Sequence, residues 1–209
     1  MNEDARSCLH QGLQGRADHQ ALARLEAYVD ALLTWNRAYN LTALKEEKQV
    51  VIRHILDSAS ILPALQSPLL DVGTGPGLPG LVLAALKPDA DITLLDSNGK
   101  KVRFLRQMIS ELELPSVKVI WGRVEDQHGR IYQAISSRAF ASLLEMRQAC
   151  HHLLIQGGCY LAMKGRYPEE ELQQLPEEVE VESCQVLEVP YLQEARHLVI
   201  LRERHPAEE

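Results

Sequence analysis

Hydrophobic and polar positions change their period along this chain. Leu22, Leu25, Val29, Leu32 and Leu33 recur at spacings of three and four, which predicts an amphipathic helix of about four turns N-capped by Asp18. Trp35 to Thr42, with Asn36 and Asn40, interrupts that stripe. Helical spacing resumes from Glu46 to Leu62 through Val51, Ile55 and Ser58, until Pro63 stops or kinks it. From Leu69 short apolar runs alternate with helical stretches. Strands are predicted over 69–72, 92–95, 117–121, 132–136 and 159–163, with helices over 81–86, 100–112 and 143–154 between them. Two further strands, 178–188 and 197–201, close the chain. This alternation is that of an α/β, doubly wound, mostly parallel sheet. A helical cap, residues 1–66, joins the larger unit, 67–209, near Ser67-Pro68.

The break between the first strand and its helix carries the strongest chemistry. Asp71-Val72-Gly73-Thr74-Gly75-Pro76-Gly77-Leu78 places three glycines where the main chain can approach a ligand closely. A dinucleotide fingerprint would need glycine at 78, where this chain has Leu78, and no lysine and hydroxyl follow Gly80 to hold phosphates and magnesium. What remains, an acidic residue and then G-x-G-x-G, resembles the first motif of S-adenosylmethionine (AdoMet) methyltransferases. Asp71 suits their cationic ligand better than it suits a phosphate.

In such sheets ligands sit at the carboxyl ends of the strands. Asp96 ends the second strand, where it is either an acceptor for the two ribose hydroxyls or the N-cap of the next helix. After the third strand come Arg123, Val124 and Glu125. Glu125 is either a partner for the adenine amine, with Val124 over the ring, or part of a solvated acidic turn. After the fourth strand, Arg138 and Phe140 put a cation and an aromatic beside the ligand's methyl end, Arg138 anchoring the methionine carboxylate or the substrate.

Composition narrows the class. The chain of 209 residues, 45% hydrophobic and 24% charged, is long enough for one sizeable core. The start has charged residues and no apolar run, and no window approaches membrane-span length, so the expectation is a soluble, cytoplasmic protein. Four scattered cysteines and the His151-His152 pair lack metal-ligand spacing, so no metal is expected. The net charge of −7 disfavours a polyanionic partner at first sight, but it is uneven. Residues 96–166 hold 11 basic and 6 acidic side chains, while 167–209 hold 3 and 12. Screening confines phosphate contacts to about 8 Å, so the middle segment is the expected nucleic-acid face.

Beyond these signals, several runs resemble one family, the 16S ribosomal RNA guanine-N7 methyltransferases called RsmG or GidB. They include Tyr39-Asn40-Leu41-Thr42, Arg53 to Ser58, Asp71 to Gly80, Leu94 to Ser97, Lys101 to Arg106, Arg123-Val124-Glu125, Ser137 to Ser142, Met163-Lys164-Gly165 and Glu194 to Leu198. The glycine motif is shared by many methyltransferases; His54 to Ser58 and Ser137 to Ser142 are narrower. The resemblance implies a class I AdoMet-dependent methyltransferase, a Rossmann-like seven-stranded sheet with an N-terminal helical cap. AdoMet would be bound around Asp71, Gly73, Gly75, Gly77, Leu78, Asp96, Val124, Glu125 and Arg138. The implied reaction is N7-methylation of guanine 527, in the 530 loop of the 16S RNA of the 30S subunit, by a monomer. The alternative is a methyltransferase acting on another RNA or a small molecule. Guanine N7 has a lone pair and no proton to lose, so alignment matters more than a general base, and no strictly catalytic side chain is identified. Arg123, Arg138, Lys164 and Arg196 are candidates for phosphates or the guanine O6, Asp71 or Asp57 for the product's charge, and His54 for substrate contact or helix packing.

Overall fold

The computed structural model describes residues 1–129 and 131–204. Helix α1 (Glu3–Gly12) and helix α2 (His19–Tyr39) open the chain, each capped by a side chain: Asn2 accepts the Ala5 N–H and Asp18 the Ala21 N–H. At 21 residues α2 outruns the expected four turns. Asn36 does not interrupt it. Its side chain donates to the Leu44 carbonyl and accepts from the Thr42 N–H, organising the loop that follows, and the helix ends at Asn40, whose φ of 51° is left-handed. α3 (Glu47–Val50), a π-helical stretch Val51–Leu56 and α4 (Asp57–Ala59) then form one helical run, with Pro63 in a short turn beyond it.

The remaining elements are β1 (Leu69–Val72), α5 (Gly80–Leu86), β2 (Ile92–Asp96), α6 (Gly99–Glu111), β3 (Val117–Trp121), β4 (Tyr132–Ser137), α7 (Leu143–Cys150), β5 (Leu154–Lys164), α8 (Glu169–Gln173), β6 (Val179–Val186) and β7 (His197–Glu203). The sheet order is β3-β2-β1-β4-β5-β7-β6, with β7 antiparallel to both neighbours and the other pairings parallel. The predicted helix to 154 is cut short, because Leu154 already pairs with Tyr132. An irregularity in β5, with Gly157 at φ 75°, precedes the regular pairing that resumes at Ala134 and Cys159.

Strand side chains alternate between two cores. Leu69, Leu94, Ala134 and Leu198 face one that also contains α5, α6 and the cap residues Leu9, Leu25, Val29 and Ile55. Leu70, Leu95, Ile135 and Val199 face the other, closed by Leu143, Met146 and Cys150 of α7. Each fully buried leucine contributes about 1.5–3 kcal/mol of transfer free energy, so α1, α2 and the helical run after them are fastened to the sheet by much the same means as α5 and α6. This places cap side chains above the carboxyl ends of β1 and β4, where the strand order reverses.

Candidate functional site

The turn after β1 is built from glycine conformations: φ is 65° at Gly73, 63° at Gly75 and 111° at Gly77, values that L side chains rarely adopt. A Cβ at Gly73 would lie 2.6 Å from that of Ala139, whereas one at Gly75 would meet only the Lys101 Nζ at 3.9 Å. Asp71 lies beneath this turn with no exposure. Its Oδ2 accepts from the Thr74 hydroxyl at 2.6 Å and the Gly80 N–H at 2.8 Å, and its Oδ1 from the Ser136 hydroxyl at 3.1 Å. Burial pushes its carboxyl up to about 6, against those three hydrogen bonds and the Arg138 charge. Asp71 therefore fastens the turn, both of its oxygens taken up by hydrogen bonds within the protein.

Every N–H from Gly73 to Gly80 has a partner within the protein. Gly73 and Thr74 donate to Leu95, Gly75 to Asp96, Gly77 and Leu78 to Thr74, and Gly80 to Asp71, while Pro76 and Pro79 have none to give. A phosphate would find no main-chain donor here. The carbonyls of Gly73 and Gly75 accept from none of the described residues, which leaves acceptors for an ammonium group. From the cap, the buried Tyr28 hydroxyl donates to the Pro76 carbonyl at 2.9 Å and pins the far side of the turn.

Asp96 is nearly buried. Its Oδ2 accepts from the Gly75 N–H and its Oδ1 from the Asn98 N–H, both at 2.8 Å, with the Lys101 Nζ 4.0 Å away. The cap of α6 is Asn98, which accepts from Lys100 and Lys101. The N-cap role considered for Asp96 is thus taken by another residue, and its carboxylate keeps lone pairs for hydroxyls. Beyond β3, Val124 is buried and Glu125 exposed, within a single 3-10 turn (Val124–Asp126) that also follows the exposed Arg123. Leu78 is packed into the cap-side core.

A second cluster lies at the ends of β4, β5 and β7. Asp57, 1% exposed, stands between two guanidiniums: Arg138 Nη1 is 3.3 Å from Oδ2 and Arg196 Nε is 3.2 Å from Oδ1. Burial still raises its carboxyl above the ordinary range, the arginines opposing. Nearby, His54 Nδ1 faces the Arg53 carbonyl at 3.1 Å and Nε2 faces the Thr42 hydroxyl at 2.7 Å, which sets a neutral ring with Nδ1–H donating and Nε2 accepting. Burial, helped by the Arg138 charge, brings its pKa down to about 4. Lys164 Nζ pairs with Glu171 at 2.7 Å, and the same Glu171 oxygen accepts the Leu143 N–H at the start of α7.

The structure thus brings Asp71, Asp96 and the three glycines into one tightly hydrogen-bonded unit. It brings Arg138, Arg196, Asp57 and His54 into a second, charged one, and leaves Lys164 tied to α8. Sequence reasoning missed Tyr28, whose place on the buried face beside Leu25, Val29 and Leu32 was its only signal, and Asn98, two residues after a strand-ending aspartate. Inward N–H groups, free carbonyls and a ribose-ready Asp96 suit an adenosine bearing an amino-acid tail.

A family model described as rRNA small subunit methyltransferase G (GidB) matches residues 21–199. The Ribosomal RNA small subunit methyltransferase G of Escherichia coli O1:K1 is 48% identical over 187 residues, covering 88% of this chain and 90% of that protein; the same protein of Escherichia coli K12 matches equally. Among solved structures, a putative methyltransferase in complex with the Haloferax volcanii Trm112 activator superposes with a TM-score of 0.60 at 14% identity, over 83% of this chain and 98% of that one. TrmN from Thermus thermophilus does so at 0.57 and 17%, over 74% and 53%. These distant likenesses show the fold, that of the class I methyltransferases, and the family match goes further: the chain belongs to the rRNA small subunit methyltransferase G, or GidB, family.

Proposed function

We propose that the protein methylates guanine N7 in the RNA of the small ribosomal subunit, at guanine 527 of the 530 loop, with AdoMet as donor. When bound, AdoMet supplies an electrophilic sulfonium methyl. On this reading the Gly73 and Gly75 carbonyls take the ammonium, Asp96 the ribose hydroxyls, and Val124 and Glu125 the adenine. In the same reading residues 1–66 form the cap and 67–209 the methyltransferase domain, the cap lending Tyr28, His54 and Asp57. The protein acts as a cytoplasmic monomer on the 30S subunit.

One observation carries the choice of nucleophile: each candidate base not assigned to the cofactor is already engaged. Asp71 is closed off beneath the turn, Asp57 faces two guanidiniums, and both nitrogens of His54 are hydrogen-bonded. A ribose hydroxyl or an exocyclic amine needs a base to take its proton; guanine N7 does not. Alignment and exclusion of water remain for the protein to supply, and Arg138 and Arg196 provide positive charge where the O6 acceptor or a phosphate would lie. Incubating the protein with methyl-labelled AdoMet and 30S subunits lacking the modification should place label in the RNA at one guanine, revealed by strand cleavage specific for N7-methylguanine. Label on another atom, another nucleotide or a ribosomal protein would refute the assignment.

A further inference from the structure

Outside the strand-end site, a groove of about 830 Å³ runs along α6 between Tyr39 and Trp121, with Lys100, Arg103 and Arg106 on its wall. Trp121 ends the edge strand β3 and is 65% exposed, yet it is held in place. Its indole N–H donates to the Ser97 carbonyl at 3.1 Å, and its benzo ring lies so close to Gly99 that a Cβ there would come within 3.2 Å. Across the groove, Tyr39 packs against Trp35, their ring centroids 5.3 Å apart, and Trp35 against Phe104 of α6. Lys100, Arg103 and Arg106 are exposed and make no ion pair among the described residues. Lys100 and Arg103 also stand in the early turns of a helix whose first turn has no acidic residue, where its dipole opposes cations. Three unpaired positive charges on a chain of net charge −7, beside a fixed and largely bare indole, call for an anionic partner with flat apolar faces.

We propose that this groove holds a single-stranded segment of the RNA substrate, one base stacked on Trp121 and the backbone phosphates on Lys100, Arg103 and Arg106. The inference rests on the ribosomal RNA reading above and adds a second contact surface to it. Unstacked bases on aromatic rings, with cations along the backbone, are the usual means of holding single strands. An acidic protein segment would satisfy the cations and leave the indole bare. The surface adjoins the first site, because Trp121 pairs in register with Asp96 on the neighbouring strand. The backbone at Trp121 lies about one strand spacing, roughly 4.8 Å, from that of the ribose acceptor.

The test compares wild type with Trp121→Ala, Trp121→Phe and the Arg103→Gln/Arg106→Gln pair. It measures binding to undermodified 30S subunits across a salt series and AdoMet affinity by calorimetry. Trp121→Ala should bind subunits about 10-fold more weakly, and Trp121→Phe should recover most of that. The arginine pair, exposed and so independent of folding, should lower the log–log salt slope by about 1.4, at about 0.7 per single-strand phosphate. AdoMet affinity should be unchanged throughout. Unchanged subunit affinity and slope in variants of an enzyme that methylates subunits would overturn the groove alone. So would a loss confined to AdoMet, which would make Trp121 part of the adenosine pocket, or a photo-crosslink from position 103 to a ribosomal protein in place of RNA. A wild type that methylates no RNA would overturn both readings.

Discussion

On the β1–β2 side of the strand ends, Asp71, Asp96 and the glycine turn are joined almost wholly by hydrogen bonds to main-chain N–H groups and hydroxyls. On the β4–β5–β7 side, Arg138, Arg196 and Lys164 are held by the carboxylates of Asp57 and Glu171. In the first arrangement every main-chain N–H of the turn is bonded within the protein. In the second, a phosphate meeting one of these cations must share or displace a carboxylate. One half is a fixed mould; the other is a set of exchangeable partners. A phosphate bound on the charged side would therefore gain only an exchange energy, smaller than the count of basic residues implies.

The comparison breaks most plainly at the turn. Gly75→Val should cut AdoMet affinity by about 100-fold or more while costing the fold only about 1–2 kcal/mol, the strain of a left-handed residue, since a Cβ there meets only Lys101 Nζ at 3.9 Å. Calorimetry showing wild-type affinity in the folded variant would end the mould picture. Gly73→Val, facing Ala139 at 2.6 Å, should lower the melting temperature further. On the charged side, Arg138→Ala leaves Asp57 buried with Arg196 as its one remaining close partner. Losing one partner of a buried pair costs about 3–5 kcal/mol; with Arg196 still present and Arg138 28% exposed, about 2–3 kcal/mol is expected in denaturant unfolding. A change below about 0.5 kcal/mol would show Asp57 to be solvated. Next in size, Asp96→Ala should weaken AdoMet by about 1.5–3 kcal/mol, and stability should fall too, because the Gly75 and Asn98 N–H groups lose their acceptor. Retained affinity would remove the ribose role.

Acid titration separates His54 from Asp71 by sign. His54, with its pKa lowered to about 4, stays neutral in the folded chain while the unfolded chain protonates near 6.5, so its contribution is full above 6.5 and is lost as pH falls toward 4. Asp71, raised to about 6, acts the other way: its contribution is present at low pH and lost as pH rises from 3.8 through 6. His54→Gln should therefore hold its stability better than wild type between pH 6.5 and 4.5, by up to about 1.4 kcal/mol per pH unit. Parallel stability–pH curves would exclude a neutral His54. The smallest effect concerns Lys164. Because Glu171 already neutralises it, Lys164→Ala should change the salt slope of subunit binding by less than the about 0.7 of a single-strand phosphate contact; a full unit would show that the lysine leaves Glu171 for RNA.

The mould was legible in the sequence because it is local. The glycines and Asp71 fall within seven residues, and the strand that ends at Asp96 follows after one helix, so spacing alone places them. The ion pairs were not legible, since Arg196 and Asp57 are 139 positions apart and meet only after the cap folds over β4. Asn36 misled for a different reason. Asparagine generally competes with helix backbone, but here its side chain bonds forward to Thr42 and Leu44 and lets α2 run on. The strand predicted over 159–163 begins earlier, at Leu154, because Gly157 and Gly158 lie inside β5, whose irregular register absorbs them.

The inward-turned N–H groups of the glycine turn have a consequence for competition among metabolites. Phosphorylated adenosines share the nucleoside with AdoMet, and a turn with no donor to offer their phosphates selects against them by what it withholds. On the reading proposed above, in which the Gly73 and Gly75 carbonyls take the ammonium and Asp96 the ribose, the same turn has little means of telling the methyl donor from the demethylated product. Occupancy on that reading follows the ratio of donor to product more than the donor level itself.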